Sequence, residues 1–377
     1  MENATPNSPR LKVLFATEGS GGHLIPALEV AQVLAASHHA VQCWYPPRQR
    51  SAALAEELIQ RAKAIGVHVD PIQLPPAGRL RQLWQAGSLW RVARRRLKAF
   101  QPQVVVGFGG RFCMPVVVAA RQQRIPVLLH EQNVLLGRAN RLLLRMADQI
   151  ALSFDETRAH TNGTPAVTTG LPVRSSIGAV TRDHAAQRFG LDPHALTILV
   201  LGGSQGAQAL NRLIRRLVAE VTDPECRRWQ FLHLTGPSDH ADLERAFHVA
   251  GIRAWVVPHL ADMGAAYALA DVVLARAGAS TIAELAQCAK PAVLIPYPYA
   301  HGHQRANARM VESLGAGIRL EEASATPQRL FVILRQLLGD ERLRRMMGTQ
   351  MRTLARPDAA HHLAGVIVRL GQRDAQR

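Results

Sequence analysis

The sequence predicts an α/β protein of two similar domains, each a parallel sheet flanked by helices, and three observations carry that reading. The chain has 377 residues, about two and a half times the ~150 typical of one domain. A rhythm of short apolar run, glycine-rich turn and helical pattern marks parallel strands joined by crossover helices. That rhythm fills the first half and restarts at residue 197.

Taken in order, the first half has apolar runs at 12–16, 41–45, 67–72, 103–106, 127–129 and 149–152, each read as a strand with helical patterns between. Residues 161–176 carry glycines and prolines with little periodicity, which places the interdomain linker there. The second half supplies strands at 197–201, 230–234, 254–257, 272–275, 292–295 and 317–320. The last pattern, 357–370, follows a proline break and reads as a separate terminal helix.

Composition then bounds the function. Apolar residues at 47% and charged residues at 19% exclude a disordered or collagen-like polymer. The apolar stretches at 104–106 and 114–120 fall short of the ~18 residues a membrane-spanning helix needs. Residues 1–9 are polar and lack a secretory pattern, so a cytoplasmic chain is expected. Cys43, Cys113, Cys226 and Cys288 lie scattered, which argues against a disulfide framework and against a zinc site. Lys plus Arg number 45 against 28 Asp plus Glu, a net charge of +17 that points to an anionic partner. Nucleic acid, an acidic membrane and a phosphorylated substrate all qualify. Between Asp70 and Glu131 no acid occurs and ten cations do, so the positive field concentrates in the first half. Nucleic acid is set aside, because aromatics are only 5% and do not interleave with the cations as single-strand binders require.

Four segments carry chemistry. The first strand is followed by Thr17-Glu18-Gly19-Ser20-Gly21-Gly22-His23-Leu24-Ile25-Pro26 and a helical run at 27–36. Such glycines let backbone N–H groups approach a phosphate at a helix N-terminus, or simply make a tight turn beside a surface histidine. Gly107-Phe108-Gly109-Gly110-Arg111-Phe112 and Gly202-Gly203-Ser204-Gln205-Gly206-Ala207 occupy equivalent places after other strands. Three such loops at strand C-termini favour a ligand in a cleft between the two domains. In Arg276-Ala277-Gly278-Ala279-Ser280-Thr281-Ile282-Ala283-Glu284, Ser280 or Thr281 caps a helix and Glu284 lies one turn in. There the carboxylate accepts both ribose hydroxyls or completes a capping arrangement.

Residues 296–307 form a polar loop in which Gln304 and Asn307 suit sugar hydroxyls, while His301 and His303 lack a third metal ligand. With no Asp-x-Asp in the chain, a divalent-metal diphosphate clamp has no candidate ligands, so no metal or other cofactor is expected. Across 75–100, Leu80, Leu83, Trp84, Leu89, Trp90, Val92 and Leu97 interleave with Arg79, Arg81, Arg91, Arg94, Arg95, Arg96 and Lys98, and Gly87 divides the segment. Its first part, with Leu83 and Trp84, reads as an interfacial anchor to an anionic membrane surface, helped by Arg94, Arg95 and Arg96. For 88–100 a helix packed on its own sheet is an equal alternative.

Gly19-Ser20-Gly21-Gly22-His23, His130-Glu131-Gln132-Asn133, Gly170-Leu171-Pro172-Val173-Arg174, Gly202 to Ala207, Gly278-Ala279-Ser280-Thr281 with Glu284, and Gln304 with Asn307 follow one another in a fixed order. In that order the chain resembles, over roughly residues 11–370, the MurG family of undecaprenyl-diphospho-muramoylpentapeptide β-N-acetylglucosaminyltransferases. The resemblance implies a GT-B fold: two Rossmann-like domains whose parallel sheets face a central cleft, with a C-terminal helix crossing back to the first. It divides the chain into an acceptor- and membrane-facing domain, 10–170 plus 357–372, and a UDP-GlcNAc-binding domain, 174–356. It implies inverting transfer of GlcNAc to the 4-hydroxyl of lipid I at the cytoplasmic face of the membrane.

Carried across, Ser20, Gly21 and Gly22 match the first glycine loop, and Asn133 and Arg174 match contacts to donor sugar and diphosphate. Ser204 matches a diphosphate contact and Leu260 a backbone partner of uracil. Ala279, Ser280, Thr281, Ile282, Ala283 and Glu284 match the nucleotide helix, Gln304 a GlcNAc contact, and His23 the general base. Glu18, Arg111-Phe112, Leu171 and His301-Gly302 depart from the family pattern and bear on acceptor choice. A related GT-B enzyme acting on another lipid or a small aglycone is the alternative they leave.

Overall fold

A computed structural model describes residues 10–47, 52–73, 81–202, 207–220 and 223–375, with 52–55, 57–58, 81–85 and 374–375 described by their backbone alone. The chain separates into two compact units, one running to Pro172 and resuming at Asp358, the other Val173–Pro357.

The first unit is a parallel sheet of seven strands in the order β3-β2-β1-β4-β5-β6-β7. These are β1 Lys12–Ala16, β2 Ala40–Tyr45, β3 His68–Pro71, β4 Val104–Gly107, β5 Val127–Glu131, β6 Gln149–Leu152 and β7 Ala166–Thr168. Its helices are α1 Gly21–Ala36, α2 Ala52–Ala64, α3 Arg81–Phe100, α4 Cys113–Gln122 and α5 Arg138–Leu143. Strand side chains alternate between faces, and here both faces are covered. Val13 and Phe15 meet α1 and the returning helix, whereas Leu14 and Ala16 meet α3 and α4. That is why β1 reads as an unbroken apolar run.

The second unit repeats the plan with six parallel strands ordered β10-β9-β8-β11-β12-β13. They are β8 Leu196–Leu201, β9 Trp229–Leu234, β10 Arg253–Val257, β11 Val272–Ala275, β12 Ala292–Leu294 and β13 Gly317–Arg319. The helices are α6 Arg182–Phe189, α7 Gln208–Glu220, α8 His240–Ala250, α9 Met263–Leu269, α10 Ala279–Gln287, α11 His303–Ser313, α12 Pro327–Gly339 and α13 Glu341–Arg352. Residues of α7, α8 and α12 build one apolar core with Ile198 and Val200 of β8. After α13 the chain returns to the first unit, where Leu363, Val366, Ile367 and Leu370 of α14 (Ala359–Ala375) share a core with Leu24, Ala27 and Phe15.

Several local expectations change. The segment 161–176 is not all linker, because β7 within it pairs with β6. Three half-buried edge residues are too short a signal to stand out between glycines and prolines. Helix α3 runs unbroken through Gly87, and Leu89, Ala93 and Leu97 are buried against α4, so this part packs on its own sheet. Its stripe of apolar residues at helical spacing is core rather than membrane surface.

Candidate functional site

In each unit the strand order reverses direction between two neighbours, β1 and β4 in the first and β8 and β11 in the second. The loops at the C-terminal ends of strands flanking such a switch point diverge to opposite faces and leave a ligand crevice. The glycine segments after β1, β4 and β11 fall there, and residues 203–206 of the fourth lie outside the described residues. Ser204 is one of these.

At the first switch point α1 starts earlier than the sequence suggested. Ser20 is its N-cap and Gly21, Gly22 and His23 form its first turn, with Pro26 inside the helix. Pro26 is the sixth residue of the helix, past its first turn, where it removes one intrahelical donor. Ser20 makes no cap hydrogen bond through its side chain; its hydroxyl instead meets His23 Nδ1 at 2.9 Å. The half-buried His23 ring lies along Gly109 of the facing loop. A methyl group on Gly109 would stand 3.7 Å from His23 Cδ2, Gln132 Oε1 and Asn140 Nδ2 alike. Contacts at that distance are ordinary, so it is the φ of +85° that suits this position to glycine.

Strand β5 extends two residues beyond the predicted apolar run, to His130 and Glu131, both essentially buried. Burial of such polar groups is affordable only when they are hydrogen-bonded. His130 Nε2 donates to the Gly170 carbonyl at 3.4 Å, and its Nδ1 accepts from Gln132 Nε2 at 3.4 Å. Burial, reinforced by His23 and only partly opposed by Gly170, brings the imidazole down to about 4 and keeps it neutral. Gln132 Nε2 also donates to the Phe108 carbonyl at 2.8 Å. Glu131 holds the following loop: one oxygen accepts Asn133 N and Nδ2, the other Gly137 N and Asn140 Nδ2, at 2.8–3.3 Å. Asn133, matched to a donor contact, is thus half-buried with its amide tied to Glu131.

The second unit assembles a charged cluster. Arg174 sits with 12% of its side chain exposed, Nη1 donating to the Ala261 carbonyl at 2.8 Å and Nη2 lying 3.6 Å from Glu284 Oε1. Gly264 lets its turn close on α9, since a methyl group there would fall 2.3 Å from Ser176 O. The fully buried Tyr267 donates its hydroxyl to Glu284 Oε2 at 2.8 Å. Burial raises the Glu284 carboxyl above its ordinary value, with Arg174 and Tyr267 pulling the other way. Leu260 is buried beside Ala261.

Neither Ser280 nor Thr281 caps α10. The N-cap is Gly278, and the helix begins at Ala279. Ser280, Thr281 and Ala283 are half-buried, so the first-turn amides and two hydroxyls are what this end presents. Ile282 is different: its side chain is in the core and its amide donates to Gly278 O. Gln304, in the first turn of α11, accepts Tyr297 N at 2.8 Å through Oε1. Asn307 does not serve a sugar. It is fully buried and donates to the Ala277 carbonyl at 3.0 Å, tying α11 to the turn before α10. Among the described residues no group of three His, Cys, Asp or Glu side chains could hold a metal ion.

Of the expected membrane contacts, Leu80 lies outside the described residues, and Leu83 and Trp84 are placed by backbone alone, in the first turn of α3. Arg94 and Arg95 are exposed, with Arg94 stacked on Trp90 at 5.7 Å. Arg96 turns back to Asp70 at 3.3 Å and lies over Trp44, so it is engaged within the unit. Sequence reading missed Glu131 as a loop staple, and it missed Asn140, Ala261 and Tyr267 altogether. No local pattern marks the last three, which matter only through what the fold sets beside them.

Comparison with known proteins fits this geometry. The glycosyltransferase family 28 N-terminal domain matches residues 13–152, and the family 28 C-terminal domain matches 197–363. The UDP-N-acetylglucosamine--N-acetylmuramyl-(pentapeptide) pyrophosphoryl-undecaprenol N-acetylglucosamine transferase of Desulforamulus reducens is 33% identical over 360 residues, covering 93% of this chain and 96% of that protein. The crystal structure of Acinetobacter baumannii MurG superposes with a TM-score of 0.74 at 27% identity, covering 95% of this chain and 99% of that one. The calicheamicin glycosyltransferase CalG4, at 16% identity and a TM-score of 0.66, shares the fold. Two parallel-sheet units with these neighbours are the GT-B fold. The chain belongs to glycosyltransferase family 28 and, within it, to the MurG family of N-acetylglucosaminyltransferases.

Proposed function

We propose that His23 is the general base of a metal-independent, inverting transfer for which the second unit holds the nucleotide sugar. The reaction is that of the family: N-acetylglucosamine passes from UDP-GlcNAc to lipid I, undecaprenyl-diphospho-MurNAc-pentapeptide, giving lipid II and UDP in peptidoglycan synthesis. The observation that carries the proposal is the 2.9 Å contact of His23 Nδ1 with Ser20 on the first turn of α1, beside the Gly109 loop. When Nδ1–H donates to the Ser20 hydroxyl, Nε2 becomes the basic nitrogen, and it adjoins Cδ2 on the edge nearest Gly109. The 4-hydroxyl of MurNAc attacks C1 of GlcNAc and gives its proton to Nε2. The C1–O bond to the diphosphate breaks on the opposite side, inverting C1.

The departing UDP carries the bonding electrons as negative charge. Arg174 and the first-turn amides of α10 meet that charge, as helix N-termini and guanidinium groups do elsewhere. Ser204, three residues past β8 in the sequence, adds a hydroxyl in this reading. Glu284 accepts from the ribose, and Gln304 donates to GlcNAc hydroxyls. The test is GlcNAc transfer by purified protein from labelled UDP-GlcNAc to a short-chain lipid I analogue, with diacylglycerol as control. Product on lipid I alone is expected, and equal transfer to diacylglycerol overturns the acceptor assignment. In the same assay EDTA leaves turnover unchanged, since cationic and amide groups supply the neutralisation; an EDTA-dependent loss restored by Mg²⁺ contradicts the metal-independent scheme.

The acceptor's lipid requires the enzyme to work at a membrane, and among the described residues no helix is long and apolar enough to cross one. We assign contact to the α3–α5 side of the first unit, where both helices pack on α4. Besides Arg94 and Arg95, this side exposes Leu142 (65%) and Met146 (37%) among the exposed Arg138, Arg141 and Arg145. Apolar groups ringed by arginine suit an anionic leaflet, where each cation contributes about 1 kcal/mol. Flotation with anionic liposomes should therefore fall roughly ten- to thirtyfold for Arg94→Gln/Arg95→Gln, and also for Leu83→Ser/Trp84→Ser and Leu142→Ser. Wild-type protein that ignores anionic vesicles at low salt removes this face as the anchor.

A further inference from the structure

Glu18 lies two residues past β1, is 6% exposed and takes part in none of the chemistry assigned above. Its Oε1 accepts the backbone N–H of Phe112 at 3.1 Å, across 94 residues of sequence. Its side chain also fills the space beside Gly110. A methyl group on that glycine would lie 1.9 Å from Glu18 Cγ and 2.5 Å from Oε1, and Gly110 has φ at +86°. The segment 108–112 is therefore shaped around this one carboxylate. Its near end is tied by Phe108 N to the Ala16 carbonyl at 2.9 Å and by Gln132 to the Phe108 carbonyl. Its far end is held by Glu18 and by the thiol of Cys113, which donates to the Ala16 and Gly109 carbonyls. Between these ties sits Gly109, against the His23 ring.

We propose that Glu18 is a positioning residue for the acceptor: by accepting from Phe112 N it fixes the Gly109–Gly110 turn that walls the His23 ring, and so sets the gap the acceptor hydroxyl must enter. The inference rests on the first unit being the acceptor side with His23 as its base. Glu18 acts on the loop through the hydrogen bond it accepts from Phe112 N, which separates it from a second acid or base. A neutral residue of the same shape should replace it, and a charged residue one methylene shorter should not.

The experiment measures KM for the lipid I analogue, KM for UDP-GlcNAc and kcat for Glu18→Gln, Glu18→Asp and Glu18→Ala, with melting temperature as the folding check. Glu18→Gln keeps an oxygen at the Oε1 position and stays within about threefold of wild type in all three constants. Glu18→Asp withdraws the acceptor while keeping the charge. It raises the lipid I KM by roughly tenfold or more, leaves the UDP-GlcNAc KM within twofold, and Glu18→Ala behaves alike if it folds. Three results overturn the proposal: Gln as impaired as Asp, both KM values rising together, or Asp indistinguishable from wild type. Failure of the base assignment is read separately, from His23→Ala with Glu18 intact. If that variant keeps its turnover, His23 is not the base, whereas the split between the two KM values still reports on Glu18.

Discussion

Replacing His23 with alanine lowers turnover by about 10² to 10⁴-fold, the range in which removal of a positioned general base falls, while UDP affinity stays within twofold. The effect is large because neither His130 nor Glu131, on the neighbouring strand, takes over the task. His130 is buried and hydrogen-bonded at both ring nitrogens. Both Glu131 oxygens are engaged by the loop they hold. Ser20→Ala gives a smaller loss, on the order of tenfold, since it removes the orienting partner of Nδ1 but leaves the ring. Single-turnover kinetics with the lipid I analogue and calorimetry with UDP measure the two halves. Near-wild-type turnover in His23→Ala shows that the proton leaves by another route.

The second large effect falls on UDP binding. Charged hydrogen bonds contribute about 1.5–3 kcal/mol each, so Glu284→Ala weakens UDP binding by at least about tenfold. Two consequences inside the unit add to the lost ligand contact. The nearly buried Arg174 loses the carboxylate 3.6 Å from its Nη2, and the buried Tyr267 hydroxyl loses its acceptor. Tyr267→Phe separates these contributions, because it keeps the Glu284 charge and removes only the buttress. It should cost UDP affinity less than Glu284→Ala does. Calorimetric titration decides the matter, and an unchanged UDP affinity in a folded Glu284→Ala protein sinks the assignment.

What the sequence made legible follows from burial. Strands covered on both faces are continuous apolar runs, so β1, β6 and β11 were placed to the residue. The readings that moved are those where another constraint outweighs that pattern. His130 and Glu131 look like loop residues, yet they stay in β5 because every polar edge finds a partner. Gly21, Gly22 and Pro26 look like turn residues, yet they lie in α1. At the site, glycine-rich segments announce themselves by composition, but Asn307 reads as a sugar contact and is buried, tied to the Ala277 carbonyl. Tyr267 and Ala261 are visible only once α9 and the turn at Arg174 meet.

The return of α14 to the first unit sets an order on biosynthesis. Residues of α1 such as Leu24 and Ala27 share a core with α14, but 185 residues, Val173–Pro357, are translated between the two parts of that unit. At about 5–20 residues per second the N-terminal part waits roughly 10 to 40 s on the ribosome with that helix face uncovered. The second unit has no such gap. Although it emerges later it is the first to hold all its own pieces, and it completes its core while the earlier unit is still open to chaperones.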